Sequence, residues 1–98
     1  MAEVLVLSES EVDRLLDLEQ LLVALGDALA GYSAGRASVP PRVAAWAADG
    51  GLAAMPVHLP GVALGAKLVS VFPGNHDRGR PSHQALIALF DPWRPAWG

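Results

Sequence analysis

The spacing of apolar residues changes once along this chain, near Ser38, from a helical rhythm to a strand-like one. Before the change, Ser8 stands three residues ahead of Glu11, a pair in which each side chain can bond the other's backbone N–H and start a helix. The pattern predicts a short helix over Glu9–Leu16. Asp17 then offers a second cap with Gln20 at the third helical position, and Leu18, Leu21, Leu22, Leu25, Leu29 and Tyr32 recur down one side of a longer helix. Gly26 within it costs about 1 kcal/mol against alanine, which burial of the leucines is expected to offset. Gly35 reads as its left-handed stop, and Val4–Leu7, ahead of both helices, reads as an edge strand.

After Ser38 the chain turns to prolines, alternation and turn residues. Pro40 and Pro41 hold the backbone extended and present Arg42 on a stiff support. Val43–Ala48 and Leu52–His58 form a hairpin pattern around Asp49-Gly50-Gly51, whose glycines accept positive φ. Pro56 has no N–H and marks the second run as an edge or bulged strand. Leu59-Pro60-Gly61 makes the next turn, Ala63–Phe72 the central strand, Pro73–Pro81 a polar loop and Ser82–Phe90 the last strand. Alternation puts Lys67 beside Ala63, Gly65, Val69 and Val71, with Leu64, Ala66, Leu68, Ser70 and Phe72 on the other side. Because both sides are mainly apolar, Lys67 is expected to face a partly enclosed space. The expected fold is α+β, with two amino-terminal helices packed on a mostly antiparallel sheet of four to five strands. One domain covers residues 1–98, helical over 1–36 and β over 37–92, with an atypical tail at 93–98.

Composition sharpens this picture. With 52% apolar and 17% charged residues in 98, the chain has a small core and too much apolar surface for a comfortable monomer, so an interface is expected. A net charge of −3 without a basic cluster argues against nucleic acid. No cysteine is present, which excludes disulfides and thiolate metal sites, and His58, His76, Asp77 and His83 match no zinc spacing, so no metal is expected. Glu3 stands where an export signal would be basic, and no uncharged apolar stretch reaches the roughly 18 residues of a membrane span. A cytoplasmic location follows by default.

Arg42 and Lys67 are the candidate chemistry. An arginine grips a carboxylate through two parallel hydrogen bonds and a lysine adds a point charge, so the pair suits the carboxylate of an amino acid. The bland alternative is a surface arginine and a snorkelling lysine.

The PPR of Pro40–Arg42, the Met55-Pro56 pair, the run KLVSVFPGN from Lys67 and PSHQALIALFDP from Pro81 come in the order found in the ornithine cyclodeaminase and mu-crystallin family. From about Leu15 to Pro92 the chain resembles the amino-terminal part of that family. The resemblance implies that Arg42 and Lys67 bind the substrate carboxylate, that Met55 lies near the site, and that Ser82 and His83 line the pocket entrance or steady the loop; partial burial of Lys67 is expected to let it also exchange protons with the substrate nitrogen. A core role for Met55 and a hydrogen-bonding role for His83 are the structural alternatives. Ala53 stands where ornithine-using members often carry an acidic residue, which points away from ornithine.

Members of this family convert ornithine to proline and ammonia, dehydrogenate amino acids or reduce imines, using NAD held by a Rossmann domain. No G-x-G-x-x-G occurs in these 98 residues, so NAD is expected for the full-length family and not for this chain alone, which is expected to be inactive. After Asp91-Pro92 the sequence WRPAWG departs from the family, which suggests a truncated or frameshifted copy, or a fragment. The expected partners are a small amino or imino acid and a second copy in a homodimer. The second reading is a non-catalytic assembly module that dimerises through its sheet.

Overall fold

In the computed structural model, which describes residues 4–91, helix α1 spans Glu9–Leu15 and helix α2 spans Leu18–Ser33. Strands β1 (Val43–Ala47), β2 (Gly50–Leu59), β3 (Ala63–Val71) and β4 (His83–Phe90) follow, with a 3-10 turn over Pro73–Arg78 ahead of the last. The sheet order is β1-β2-β3-β4 and every pair is antiparallel, so chain neighbours are sheet neighbours. This is an α+β arrangement with four described strands. The tail at 93–98 lies outside the described residues.

Both helices begin as their sequences dictate. The Ser8 N–H donates to Glu11 Oε1 at 3.0 Å while the Glu11 N–H donates to Ser8 Oγ at 3.2 Å. Asp17 Oδ1 accepts from the N–H groups of Glu19 at 2.9 Å and Gln20 at 3.2 Å. At the end of α2, Arg36 N–H donates to Gly31 O and Gly35 N–H to Tyr32 O, a closure that needs the positive φ of 77° at Gly35.

The Glu11 carboxyl sits below its ordinary value of 4.5, first because it accepts from the Ser8 backbone and next through its bond with the Ser8 hydroxyl. Because the folded value is depressed, its contribution to stability is full above 4.5 and disappears as pH falls through the lower folded value. The amide shift of Ser8 is therefore expected to titrate below pH 4.5 in NMR spectra, and a flat profile would exclude the reciprocal cap in solution.

Several expectations need correction. Val4–Leu7 is not a strand: it has no ladder partner, and Val4, Leu5 and Val6 are 83%, 85% and 76% exposed. The β1–β2 turn consists of Ala48 and Asp49, not the glycines, since Ala47 already pairs with Gly50. Neither Gly50 nor Gly51 has positive φ. They serve instead by lacking Cβ, which at Gly51 would come within 2.8 Å of the Trp46 ring and Ala45 O. Gly61, by contrast, uses a φ of 76° to complete the Leu59–Val62 turn. The polar loop after β3 also holds the 3-10 turn, closed by left-handed Gly79.

Pro56 lies inside a regular strand, paired with Ala66 and without a bulge. The N–H and C=O of His58 both bond Ser38, on the side of β2 that faces away from β3. Two residues earlier, the Pro56 nitrogen points the same way, into the interval between the end of β1, where Val43 pairs with Ala54, and the Ser38 bridge. The missing donor therefore costs the ladder nothing.

Packing between helices and sheet is confined to one corner. Gly31 of α2 approaches the Leu59 side chain so closely that a Cβ on it would meet Leu59 Cδ1 at 2.9 Å. Leu59 is the one buried hydrophobic side chain among the described residues. The leucine stripe of α2 is uncovered, with Leu18, Leu22 and Leu29 each about two-thirds exposed. Gly31 is the buried position on α2, because only a residue without a side chain lets the helix come this near to β2. A radius of gyration of 16.2 Å, against about 13 Å for a compact domain of this length, reports the same open build.

Candidate functional site

The strand register lines up the candidate residues. Met55 of β2 pairs with Lys67 of β3, and Lys67 pairs with Ile87 of β4. Val43 pairs with Ala54, so extending β1 back by one residue sets Arg42 against Met55. Met55, Lys67 and Ile87 thus form one row across three strands, on the face that also carries Ala53, Leu59, Val69 and Val71, and Arg42 directly precedes Val43, the first residue of β1. Strands lie about 4.8 Å apart, which puts the Cα atoms of Arg42 and Lys67 about 10 Å from each other with Met55 between them. Side chains of this length can bring a guanidinium and an ammonium to one carboxylate lying over Met55.

Arg42 and Lys67 are both exposed, and Met55 is half-buried. Among the described residues Lys67 is exposed, without the enclosed surroundings expected for it, and the close approach of α2 to its face is at the Leu59 corner. Neither cation has a hydrogen bond or ion pair with a described residue, so both heads are available to a ligand.

Ser82 and His83 stand elsewhere on the sheet. His83 pairs with Val71, four residues along β3 from Lys67 and therefore about 13 Å away on the same face. Its Nδ1 is hydrogen-bonded to Ser82 Oγ at 3.0 Å, and Ser82 O accepts from the Phe72 N–H at 2.7 Å. Asn75 Nδ2 donates to Pro81 O at 3.3 Å, tying the loop to the start of β4. These bonds brace the β3–β4 connection. Nearby, a cleft of about 380 Å3 opens between Asp49 and the segment Phe72–Asn75 with Arg78, five residues along β3 from Lys67.

Neither helix offers a phosphate cradle. At α1 the first free N–H groups are met by Ser8 and Glu11, and at α2 by the Asp17 carboxylate, whose charge would repel a pyrophosphate. The described residues thus present no helix start with its N–H groups free for a phosphate. No three His, Cys, Asp or Glu among them could hold a metal ion. Among the described residues, no helix is long and apolar enough to cross a membrane.

Ile87 is the member of the row that the sequence reading passed over. It borders Lys67 directly and is 67% exposed, an apolar wall beside the ammonium. Finding it requires the β3–β4 register, and the connection between those strands is too long for turn chemistry to fix it.

Comparison with known proteins finds relatives that share this fold. Alanine dehydrogenase of Archaeoglobus fulgidus is 40% identical over 90 residues, which are 92% of this chain and 28% of that protein. The structure of an archaeal alanine dehydrogenase dimer with bound NAD superposes with a TM-score of 0.76 at 38% identity, covering 86% of this chain and 26% of the other. That of Thermococcus litoralis Δ1-pyrroline-2-carboxylate reductase with NADH and L-proline gives 0.78 at 32% identity, covering 88% and 28%. The chain thus spans little more than a quarter of the length of these relatives. Residues 2–94 match the ornithine cyclodeaminase/mu-crystallin family, and the chain belongs to that family.

Proposed function

We propose that this chain is the carboxylate-binding and dimerisation module of an NAD-dependent enzyme acting on a small amino or imino acid. The pairing of Met55 with Lys67, with Arg42 one residue ahead of Val43, the partner of Ala54, carries this reading. The guanidinium grips both carboxylate oxygens, the ammonium holds one of them and exchanges a proton with the substrate nitrogen, and Met55 supplies the apolar floor. Ser82 and His83 steady the loop at the far end of the same face.

Substrate size follows from the floor. Ala53, on the same face two residues from Met55, offers no charge for a distal amine. The relatives named for alanine and for pyrroline-2-carboxylate have substrates without such an amine. Alanine, proline and their imines are accordingly preferred over ornithine, as substrates of an amino-acid dehydrogenase or ketimine reductase more than of a cyclodeaminase.

Titration calorimetry with L-alanine, L-proline and L-ornithine tests this. Saturable binding is expected for the first two, and none for ethylamine, which lacks the carboxylate. Absence of binding by every amino acid, in a chain that still dimerises, would leave the second reading: an assembly module without a substrate. The exposure of apolar residues on both sheet faces, such as Leu86 at 61% and Ile87 at 67%, favours that reading if the titration fails.

A further inference from the structure

Trp46 is the most exposed large apolar side chain of the sheet among the described residues, at 83%, although a tryptophan ring carries one of the largest apolar surfaces a side chain can bury. Its ring is nonetheless held in place. Gly51, its cross-strand partner, is buried, and a Cβ there would stand 2.8 Å from Trp46 Cε3 and 3.1 Å from Cζ3. The missing Cβ lets the indole lie over β2 with its outer side open.

Resting on the carboxylate site above, we propose that Trp46 is a specificity-determining residue at the end of that site, and that the side chain it selects on an α-amino acid is an aromatic ring. Trp46 pairs with Gly51, Ala44 with Ala53 and Met55 with Lys67, so alternation sets Trp46, Ala44, Ala53, Met55 and Lys67 on one face. Ala53 lies midway between Gly51 and Met55 along β2, with Ala44 beside it on β1 and Val69 on β3. Single methyl groups at Ala44 and Ala53 leave the way between ring and ammonium clear.

The span has the right length for such a ligand. Gly51 and Met55 are four residues apart on β2, which is about 13 Å. A hydrogen bond to the carboxylate takes about 3 Å of this and a ring contact about 3.5 to 4 Å, leaving roughly 6 Å for the ligand itself. The side chain of phenylalanine bridges that gap, and the methyl of alanine does not.

Charge selects the same class. Lys67 is the one charged residue among the four strands, so a distal ammonium on the ligand meets no carboxylate there and a like charge instead. A neutral ring loses nothing by lying over Ala53, and it gains an offset or edge-to-face contact with the indole at about 4.5–7 Å between ring centres.

Titration calorimetry with L-phenylalanine and L-alanine tests the assignment. In the intact chain L-phenylalanine is expected to bind about tenfold more tightly. Trp46→Ala is expected to bring the two affinities within about threefold of each other, and Trp46→Phe, which keeps a ring over Gly51, to retain most of the difference. Fluorescence supplies a measurement that needs no alanine variant and that a merely structural role would not move. L-phenylalanine is expected to shift the tryptophan emission of the intact chain, and not that of Trp46→Phe, in which Trp93 and Trp97 remain. Equal affinities in the intact chain, or a difference that survives in Trp46→Ala, would overturn the role of Trp46 and leave the carboxylate site standing. So would tighter binding of L-ornithine than of L-phenylalanine, which would put an ammonium over the ring. Failure of every α-amino acid to bind would end both readings.

Discussion

Methionine in place of Lys67 is expected to weaken binding of a small α-amino acid by about 10- to 100-fold while leaving the melting temperature unchanged. The size follows from one hydrogen bond to a charged group, worth about 1.5–3 kcal/mol when both partners are ionised. Stability is untouched because the ammonium is exposed and bonds no described residue, and methionine keeps the length of the stem. Calorimetric titration of L-alanine or L-proline beside a thermal melt separates the two quantities. In a longer protein carrying this domain with its nucleotide site, the same substitution is expected to abolish turnover. Unaltered affinity would remove Lys67 from the site and leave it as a solvated side chain.

Gly65→Ala should have a large effect on the fold itself. Gly65 is buried in β3, between Val57 of β2 and Leu89 of β4. A Cβ there would stand 2.5 Å from the carbonyl oxygen of Ala88 and 2.9 Å from Leu89 Cδ2. The leucine tip can swing away, but the carbonyl belongs to the ladder and moves only with β4. Overpacking of this kind costs about 1–3 kcal/mol. For a domain this small, each 1 kcal/mol lowers the melting temperature by about 4–8 °C, so a fall of roughly 5–20 °C is expected. Gly26→Ala makes the control, since a Cβ at Gly26 meets nothing within 4 Å. An equal melting temperature for Gly65→Ala and the parent would show that β3 and β4 are not held at this register in solution.

Much of this was legible in the letters because local chemistry fixes it. Ser8 with Glu11, Asp17 with Gln20, and Gly35 each act within a few residues, and each appears where their spacing places it. The β runs were equally readable, since alternation needs no knowledge of the neighbour. Errors arose where the answer lay across the sheet. Gly50 and Gly51 looked like turn glycines until their clearance to Phe72 and Trp46 gave them another purpose.

The α2 leucines resemble a core stripe by period, yet Leu18, Leu22 and Leu29 stay about two-thirds exposed, because Gly31 brings a different side of the helix to Leu59. Likewise, the sequence offered five site residues without a distance between any two. Register alone sets Met55 beside Lys67 and leaves His83 about 13 Å off.

Pro56 has one more effect. It tolerates its place only because its ring nitrogen looks into a break beside β2, so sliding β2 by a single position against β3 would swing that ring toward a carbonyl needing a donor. The same slide would carry Met55 to the far surface and strand Lys67 without its floor. This proline is thus a ratchet tooth, barring the one misalignment of the two strands that would take the substrate's seat apart.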